Sequence, residues 1–275
     1  MNFKLLFPTY RAREQYIRAT LAELASSRAP RGSAGPAFER ALDVGCGEGE
    51  LHACLAEHAG MLDACDVHAG DLARAATLNA DLGNVRYTRV TADRLPYPDG
   101  AFDLVTCLEV IEHVGDPLAL VAELARVTRP GGTLILTCPN HDFPVTYDPI
   151  NHVRRRSRAP LPFGAYGYGH SWLVRREQAS RWLDTAGFRV ARVTPLSGAL
   201  AAVSEAYLPG LLQRVLKANA ANQGSAEGGE RGLHVRDRRP PRGLVTLTDA
   251  LNAWDARRLT ENAPSVGLAF LAERR

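Results

Sequence analysis

Residues Ala41–Glu50 read Ala-Leu-Asp-Val-Gly-Cys-Gly-Glu-Gly-Glu, and they predict a buried strand that turns into a helix through three glycines. The short apolar run at the start is typical of a parallel strand that is covered on both faces. Gly45, Gly47 and Gly49 permit a tight turn and let the backbone approach a ligand where a Cβ would clash. We expect the helix to begin near Glu50 and to direct its N-terminus at whatever the loop binds.

The glycine spacing argues against a dinucleotide ligand. A dinucleotide-binding loop has a third glycine five residues after the first, and that position here is Glu50. Glu48 and Glu50 also place two carboxylates in the turn, where they would repel a pyrophosphate and favour a cation. We therefore expect a nucleotide ligand other than NAD.

The stretch Leu42–Gly49 resembles the first motif of the class I S-adenosylmethionine-dependent methyltransferases. The cofactor of that family carries a sulfonium and an ammonium group and no phosphate. The resemblance implies that the loop contacts S-adenosylmethionine, and the residues that we assign to this contact are Asp43, Gly45, Cys46, Gly47 and Gly49.

A second predicted strand, residues 61–67, ends in a carboxylate. Asp66 follows Gly49 by 17 residues, which is close to the separation at which α/β nucleotide sites place an acid on the ribose hydroxyls. A carboxylate can accept two hydroxyl hydrogen bonds at once. We therefore assign Asp66 to the ribose and Val67 to the same pocket; the alternative ribose ligand, Asp63, should lie deeper along the strand.

The stretch Thr91–Val105 also resembles this family. The resemblance implies that Asp93 accepts a hydrogen bond from the adenine amino group, with the backbone of Ala92 and Arg94 alongside. The alternative for Asp93 is a turn cap. Leu108, at the end of the next strand, completes the predicted cofactor contacts.

Glu109, Glu112 and His113 are predicted to share one helical turn at the carboxyl end of a central strand. The same Glu-x-x-Glu-His pattern occurs in ubiquinone-pathway O-methyltransferases and in small-RNA 2′-O-methyltransferases, and in the latter a second histidine completes a divalent-metal site. His170 is the candidate for that histidine. Three interpretations stay open: a Mg or Mn site formed by all four residues, a catalytic set of His113, Glu112 and His170, or structural roles.

The order of predicted elements indicates an α/β fold. Strands and helices alternate, and two strands come close to the C-terminus, which predicts a Rossmann-like, doubly wound sheet of seven strands with the last one antiparallel. Residues 1–36 are predicted to form an N-terminal helix and a linker, and residues 37–275 the methyltransferase domain. Within that domain we expect a lid loop over 139–170. We also expect a helical insertion over 196–264. Three roles are open for it: it builds the acceptor site, it packs in a homodimer, or it lies on a membrane.

Composition narrows the class of protein. The chain has 275 residues, of which 45% are hydrophobic, so it can bury a full core. Its net charge of +3 is too small to imply a nucleic-acid partner. Five cysteines without a Cys-x-x-Cys pair predict reduced core thiols. The sequence shows neither a signal peptide nor an apolar run of the ~20 residues that span a bilayer, so we expect a cytoplasmic protein without a transmembrane segment.

The sequence therefore predicts an S-adenosylmethionine-dependent methyltransferase that methylates a hydroxyl of a small-molecule acceptor. One alternative is a metal-assisted methyltransferase that acts on the 2′-hydroxyl of an RNA terminus. The other is a protein that binds the cofactor without transferring its methyl group.

Overall fold

A computed structural model of the chain describes residues 3–28, 35–91, 94–142, 174–198, 201, 242–259 and 265–275. The predicted site residues Ala92, Asp93 and His170 lie outside these ranges, and so do most of the predicted lid loop and most of the predicted insertion.

The described elements follow the predicted alternation. The strands are β1 (Phe38–Val44), β2 (Ala59–Asp66), β3 (Val85–Arg89), β4 (Phe102–Leu108), β5 (Thr128–Pro139), β6 (Phe188–Leu196) and β7 (Gly267–Arg274). The helices are α1 (Pro8–Arg28), α2 (His52–His58), α3 (Ala69–Leu78), α4 (Pro117–Val127), α5 (Arg176–Thr185) and α6 (Arg242–Ala256), and a 3₁₀ turn at Phe3–Leu6 precedes α1.

Within the described residues, the seven strands form one sheet in the order β3-β2-β1-β4-β5-β7-β6. The first five strands pair in parallel, whereas β7 runs antiparallel to both β5 and β6. This topology confirms the predicted fold. Because the order reverses between β1 and β4, the carboxyl ends of these two strands flank the crevice where doubly wound folds bind ligands.

Helices cover both faces of the sheet, which is why β1 and β4 are almost wholly buried. One face packs against α4 and α5 through Val121, Leu124 and Leu183. The other face packs against α1 and α2 through Ile17, Leu21 and Leu55. Among the described residues, none of the helices is both long and apolar enough to span a bilayer.

A side-chain cap marks the start of α4. The Asp116 side chain accepts hydrogen bonds from the backbone of Leu118 and Ala119, so it caps α4. Asp71 does not cap α3, because this helix begins at Ala69 and the Asp71 carboxylate pairs with Arg74.

Candidate cofactor and acceptor site

The glycine loop leaves the carboxyl end of β1 in a left-handed backbone conformation. Gly45, Gly47 and Gly49 have φ angles of +70°, +53° and +72°, values that other residues rarely adopt. A Cβ on Gly45 would collide with Val110, and one on Gly49 would collide with His52. A Cβ on Gly47 would meet no atom within 4 Å. Gly47 is therefore the point at which the loop faces open space and can contact a ligand.

Asp66 lies where the sequence predicts it, at the end of β2 and beside the loop. Its Oδ2 accepts a hydrogen bond from the Gly47 amide and its Oδ1 one from the His68 amide, each at 2.9 Å. Both carboxylate oxygens keep further acceptor capacity, as ribose hydroxyls would require. Asp63, the alternative ribose ligand, pairs instead with Arg40 at 2.7 Å.

Asp43 supports the loop from inside the protein. The side chain is 5% exposed, and its Oδ1 accepts a hydrogen bond of 2.6 Å from the Thr106 hydroxyl. Its Oδ2 is 3.4 Å from Nε2 of the fully buried His52. His52 in turn contacts the Tyr87 hydroxyl through Nδ1 at 3.0 Å. These contacts connect β1, β3, β4 and the start of α2 beneath the glycines.

Cys46 is part of the folded loop. Its amide donates to the carbonyl of Cys65 at 3.0 Å, and the Gly45 amide donates to the same carbonyl at 2.8 Å. Burial raises the pKa of the Cys46 thiol. All five cysteines are buried and free, which confirms their predicted position in the core.

The Glu48 carboxylate, which we expect to favour a cation, pairs with a cation from within the protein. Glu48 Oε1 accepts from Arg74 Nε at 2.9 Å, and the Glu48 side chain is only 8% exposed. Arg74 lies on α3, 26 residues further along the chain, so the glycine motif alone could not show this pairing.

Two of the remaining predicted cofactor contacts lie at the carboxyl ends of the strands that flank β1. Val67 directly follows β2 and is exposed, and Leu108 ends β4 and is partly buried. Arg94 is exposed. Ala92 and Asp93 lie outside the described residues, so their assignment to the adenine stays a prediction.

The Glu109–His113 segment is a tight turn, and the prediction of a helical turn is wrong. Glu109 has a φ of +58°, which interrupts a helix at its first residue. The three side chains consequently diverge: those of Glu109 and His113 are 29% and 43% exposed, whereas that of Glu112 is fully buried.

Glu112 is a buried acid without a hydrogen-bond partner for either carboxylate oxygen in the described part of the chain. Burial, and then the charge of Glu109, raises its pKa well above the ordinary value. The fold therefore favours the uncharged form of this side chain. His113 Nε2 is 3.9 Å from Glu112 Oε1, beyond hydrogen-bonding distance.

No group of three or more His, Cys, Asp or Glu side chains in the described ranges could hold a metal ion. Glu109, Glu112 and His113 are thus not grouped as the predicted metal set requires, because Glu112 points into the core and Glu109 faces a cation. His170, the fourth member, lies outside the described ranges. The predicted Mg or Mn site has no support from these residues.

A cleft opens beside the glycine loop, at the carboxyl ends of β4, β5 and β6. It encloses about 340 Å³ of empty space, including open solvent, and its lining residues are Thr9, Arg13, Glu109, Pro139, Leu196, Ser197, Val266 and Gly267. Arg13 Nη1 is 3.0 Å from Glu109 Oε2. Burial lowers the pKa of Arg13, but Glu109 and Tyr10 more than offset this effect and the pKa is raised overall. Among the described residues that line the cleft, a cation is therefore paired with an anion.

Comparison with known proteins places this geometry in a family. The profile of a family described as "Methyltransferase domain" matches residues 42–136. The ubiquinone biosynthesis O-methyltransferase of Pseudomonas aeruginosa (strain LESB58) is 30% identical over 166 residues, which cover 60% of this chain and 70% of the relative. The chain belongs to the class I S-adenosylmethionine-dependent methyltransferases.

A second relative and a solved structure resemble this class I methyltransferase. The ubiquinone biosynthesis O-methyltransferase of Xanthomonas campestris pv. campestris (strain B100) is 32% identical over 161 residues; this match covers 56% of the present chain and spans 64% of the relative's length. The crystal structure of a putative sarcosine dimethylglycine methyltransferase from Galdieria sulphuraria has a TM-score of 0.56 at 16% identity, covering 93% of this chain and 85% of that one. At that identity the similarity shows the fold.

The loop and Asp66 suit the cofactor of this family. Gly47 leaves room for a ligand against the backbone, and Asp66 is held beside it with acceptor oxygens. The sequence interpretation missed Arg74, His52 and Ser197 as parts of the site. The position of His52, three residues after the last glycine of the loop, could have indicated its part in the site. No local sequence feature indicates Arg74 or Ser197.

Proposed function

We propose that this chain transfers the methyl group of S-adenosylmethionine to a hydroxyl oxygen of a small-molecule acceptor. The observation that carries the proposal is the bond between the Gly47 amide and Asp66 Oδ2, which joins the open face of the loop to a carboxylate at the end of β2. Membership of the family and the names of the two O-methyltransferase relatives support the reaction and its oxygen acceptor.

The residues of the loop would hold the cofactor. Bound there, S-adenosylmethionine supplies a methyl group activated by its positive sulfur. Asp66 would accept the ribose hydroxyls, and the Gly47 backbone would lie against the ligand without a Cβ between them. The Asp43 network keeps the loop in one conformation, so that little ordering is needed when the ligand binds.

The cleft beside the loop is the proposed acceptor site. It lies next to the glycine loop because Val110, which follows Glu109, packs directly on Gly45. Pro139 and Leu196 begin the two segments that the sequence predicts around the acceptor, and both line the cleft. The Arg13–Glu109 pair is neutral as a whole, and the lining also includes apolar side chains, a combination that suits an organic acceptor of low charge.

We assign the acceptor proton to His113, which does not itself line the cleft but belongs to the turn beside the glycine loop: its amide donates to the Val110 carbonyl at 2.9 Å, and Val110 packs on Gly45. The imidazole is 43% exposed and can release a proton to water. Glu112 favours its uncharged form, so it would not act as a counter-ion for the imidazolium. His170 stays a predicted alternative base. A cytoplasmic location and a homodimer likewise stay predictions.

Transfer of radioactive methyl groups tests the proposal. Purified protein is incubated with labelled S-adenosylmethionine and panels of phenols, hydroxy acids and RNA ends, with and without EDTA. We expect label in a phenol or hydroxy acid, insensitivity to EDTA, and a loss of about 10²-fold or more in His113→Ala. The control is His58→Ala, at the end of α2. Label in RNA only, lost with EDTA and restored by Mg or Mn, would contradict the proposal.

A further inference from the structure

Helix α6 turns its polar side towards the protein. Its buried residues are Thr248, Asn252 and Asp255, whereas Leu247 and Trp254 are 67% and 45% exposed. Helices on the surface of globular proteins usually have the opposite distribution. Hydrogen bonds and an ion pair, more than apolar burial, therefore hold α6 in place.

One set of these contacts holds the start of α1. Asp249 accepts hydrogen bonds from Arg11 Nε at 2.6 Å, Arg11 Nη2 at 3.0 Å and Gln15 Nε2 at 2.8 Å. The two bonds from Arg11 form a bidentate pair, which is strong and directional. Asn252 Nδ2 donates to the Pro8 carbonyl at 3.0 Å. α6 thus contacts the first two turns of α1 at several points.

The same two turns form one wall of the acceptor cleft. Thr9 and Arg13 line it, and Arg13 reaches Glu109 across it at 3.0 Å. The fully buried apolar side chains of α1, Ile17 and Leu21, come one or more turns later. In the first two turns Pro8 is buried and Arg13 pairs with Glu109, and the contacts with α6 add to these in fixing the position of the wall.

α6 also holds the opposite wall. Asp255, 5% exposed, accepts hydrogen bonds through Oδ2 from the amides of Gly198 at 2.8 Å and Ala201 at 3.1 Å. A Cβ on Gly198 would collide with this carboxylate, so the backbone at position 198 can come this close to Asp255 only with a glycine there. The preceding residue, Ser197, lines the cleft and has a φ of +56°. Such a conformation persists in a non-glycine residue when its surroundings hold it.

We propose that Asp249 and Asp255 are positioning residues, through which α6 fixes the separation of the two walls of the acceptor cleft. The inference rests on the proposed function, because it takes the cleft as the acceptor site. Neither carboxylate lines the cleft, and each acts through backbone or side-chain groups of the wall that it holds. Loss of the Asp249 contacts should free both walls, because undocking of α6 also withdraws Asp255.

Hydrogen–deuterium exchange of the full chain tests the coupling between the walls. We expect Asp249→Asn to raise exchange about tenfold in residues 3–16 and also in residues 196–198, since the amide replaces an acceptor oxygen with a donor that faces Arg11. The charge swap Arg11→Asp with Asp249→Arg should restore protection. The matched control is Glu23→Gln, which breaks a bidentate pair between α1 and Arg192 of β6, away from the cleft.

The outcomes separate this inference from the proposed function. Affinity for S-adenosylhomocysteine should stay within about twofold of wild type in all variants, and Asp249→Asn should raise KM for the acceptor while leaving kcat unchanged. Wild-type protein that binds no S-adenosylhomocysteine would refute the proposed function, but not the exchange result. Faster exchange in residues 3–16 alone, no change in either segment, or an equal effect of Glu23→Gln would overturn the positioning role.

Discussion

Substitution of Gly47 by alanine should separate ligand binding from folding. The position has a φ of +53°, and a Cβ there would meet no protein atom within 4 Å. The added methyl group therefore strains the backbone without creating a clash inside the protein. It does, however, occupy the space in which we place the cofactor against the loop.

The magnitudes follow from these two effects. Alanine in the left-handed region costs about 1–2 kcal/mol, and about 1 kcal/mol lowers Tm by roughly 2–4 °C in a domain of comparable size. An inserted methyl group in a well-packed contact costs about 1–3 kcal/mol, which weakens binding by about 5- to 150-fold. Thermal melts give the first quantity, and calorimetric titration with S-adenosylhomocysteine gives the second.

Gly131→Ala provides the matched control. Gly131 has a φ of +72° and equally open surroundings, but it lies in β5, at the other end of the strand from the site. Both variants should lose a similar amount of thermal stability, and only Gly47→Ala should lose affinity. If Gly47→Ala binds S-adenosylhomocysteine as tightly as wild type does, the placement of the ligand against Gly47 is refuted.

Three further results are expected. Gly45→Ala should lower the free energy of unfolding in urea by about 2–5 kcal/mol, because backbone strain adds to a collision with Val110. Val110→Ala in the same chain should recover part of this loss. Equal stability of Gly45→Ala and wild type would contradict the loop geometry. Glu112 has a raised pKa in the folded state, so its contribution to stability is lost as pH rises above the ordinary value of 4.5. Glu112→Gln should therefore be more stable than wild type near neutral pH, by about 1.4 kcal/mol for each pH unit above 4.5 over which the folded side chain stays protonated, and should lose this advantage as pH falls towards 4.5. The opposite trend would mean that Glu112 is charged in the fold. The five buried thiols should react with a disulfide reagent only after denaturation, and rapid reaction of the native protein would show that at least one of them is accessible.

The sheet could be predicted because its signals are local. The run Ala41–Val44 lies within β1 and Asp66 ends β2, and each strand was predicted from residues within a few positions of one another. The start of a helix was harder to predict than the strands. α2 begins at His52 and not near Glu50, because the third glycine still belongs to the turn.

The electrostatics of the site could not be predicted from short motifs. Glu48 is neutralised by Arg74, and Glu109 by Arg13, which is 96 positions earlier in the chain. The contact of Asp249 with Arg11 spans 238 positions. The Glu-x-x-Glu-His pattern suggested a shared helical face, but the positive φ of Glu109 turns its members apart. These ion pairs and side-chain directions are determined by the tertiary fold and not by any short stretch of sequence.

Calorimetric titration with S-adenosylmethionine, with wild type, Asp66→Ala and Asp63→Ala measured side by side, tests whether the cofactor binds at the glycine loop and Asp66. We expect binding to wild type, loss of binding in Asp66→Ala, and binding that is kept in Asp63→Ala, because Asp63 pairs with Arg40 away from the loop. Absence of binding to wild type, or binding that depends on Asp63 and not on Asp66, would contradict this expectation.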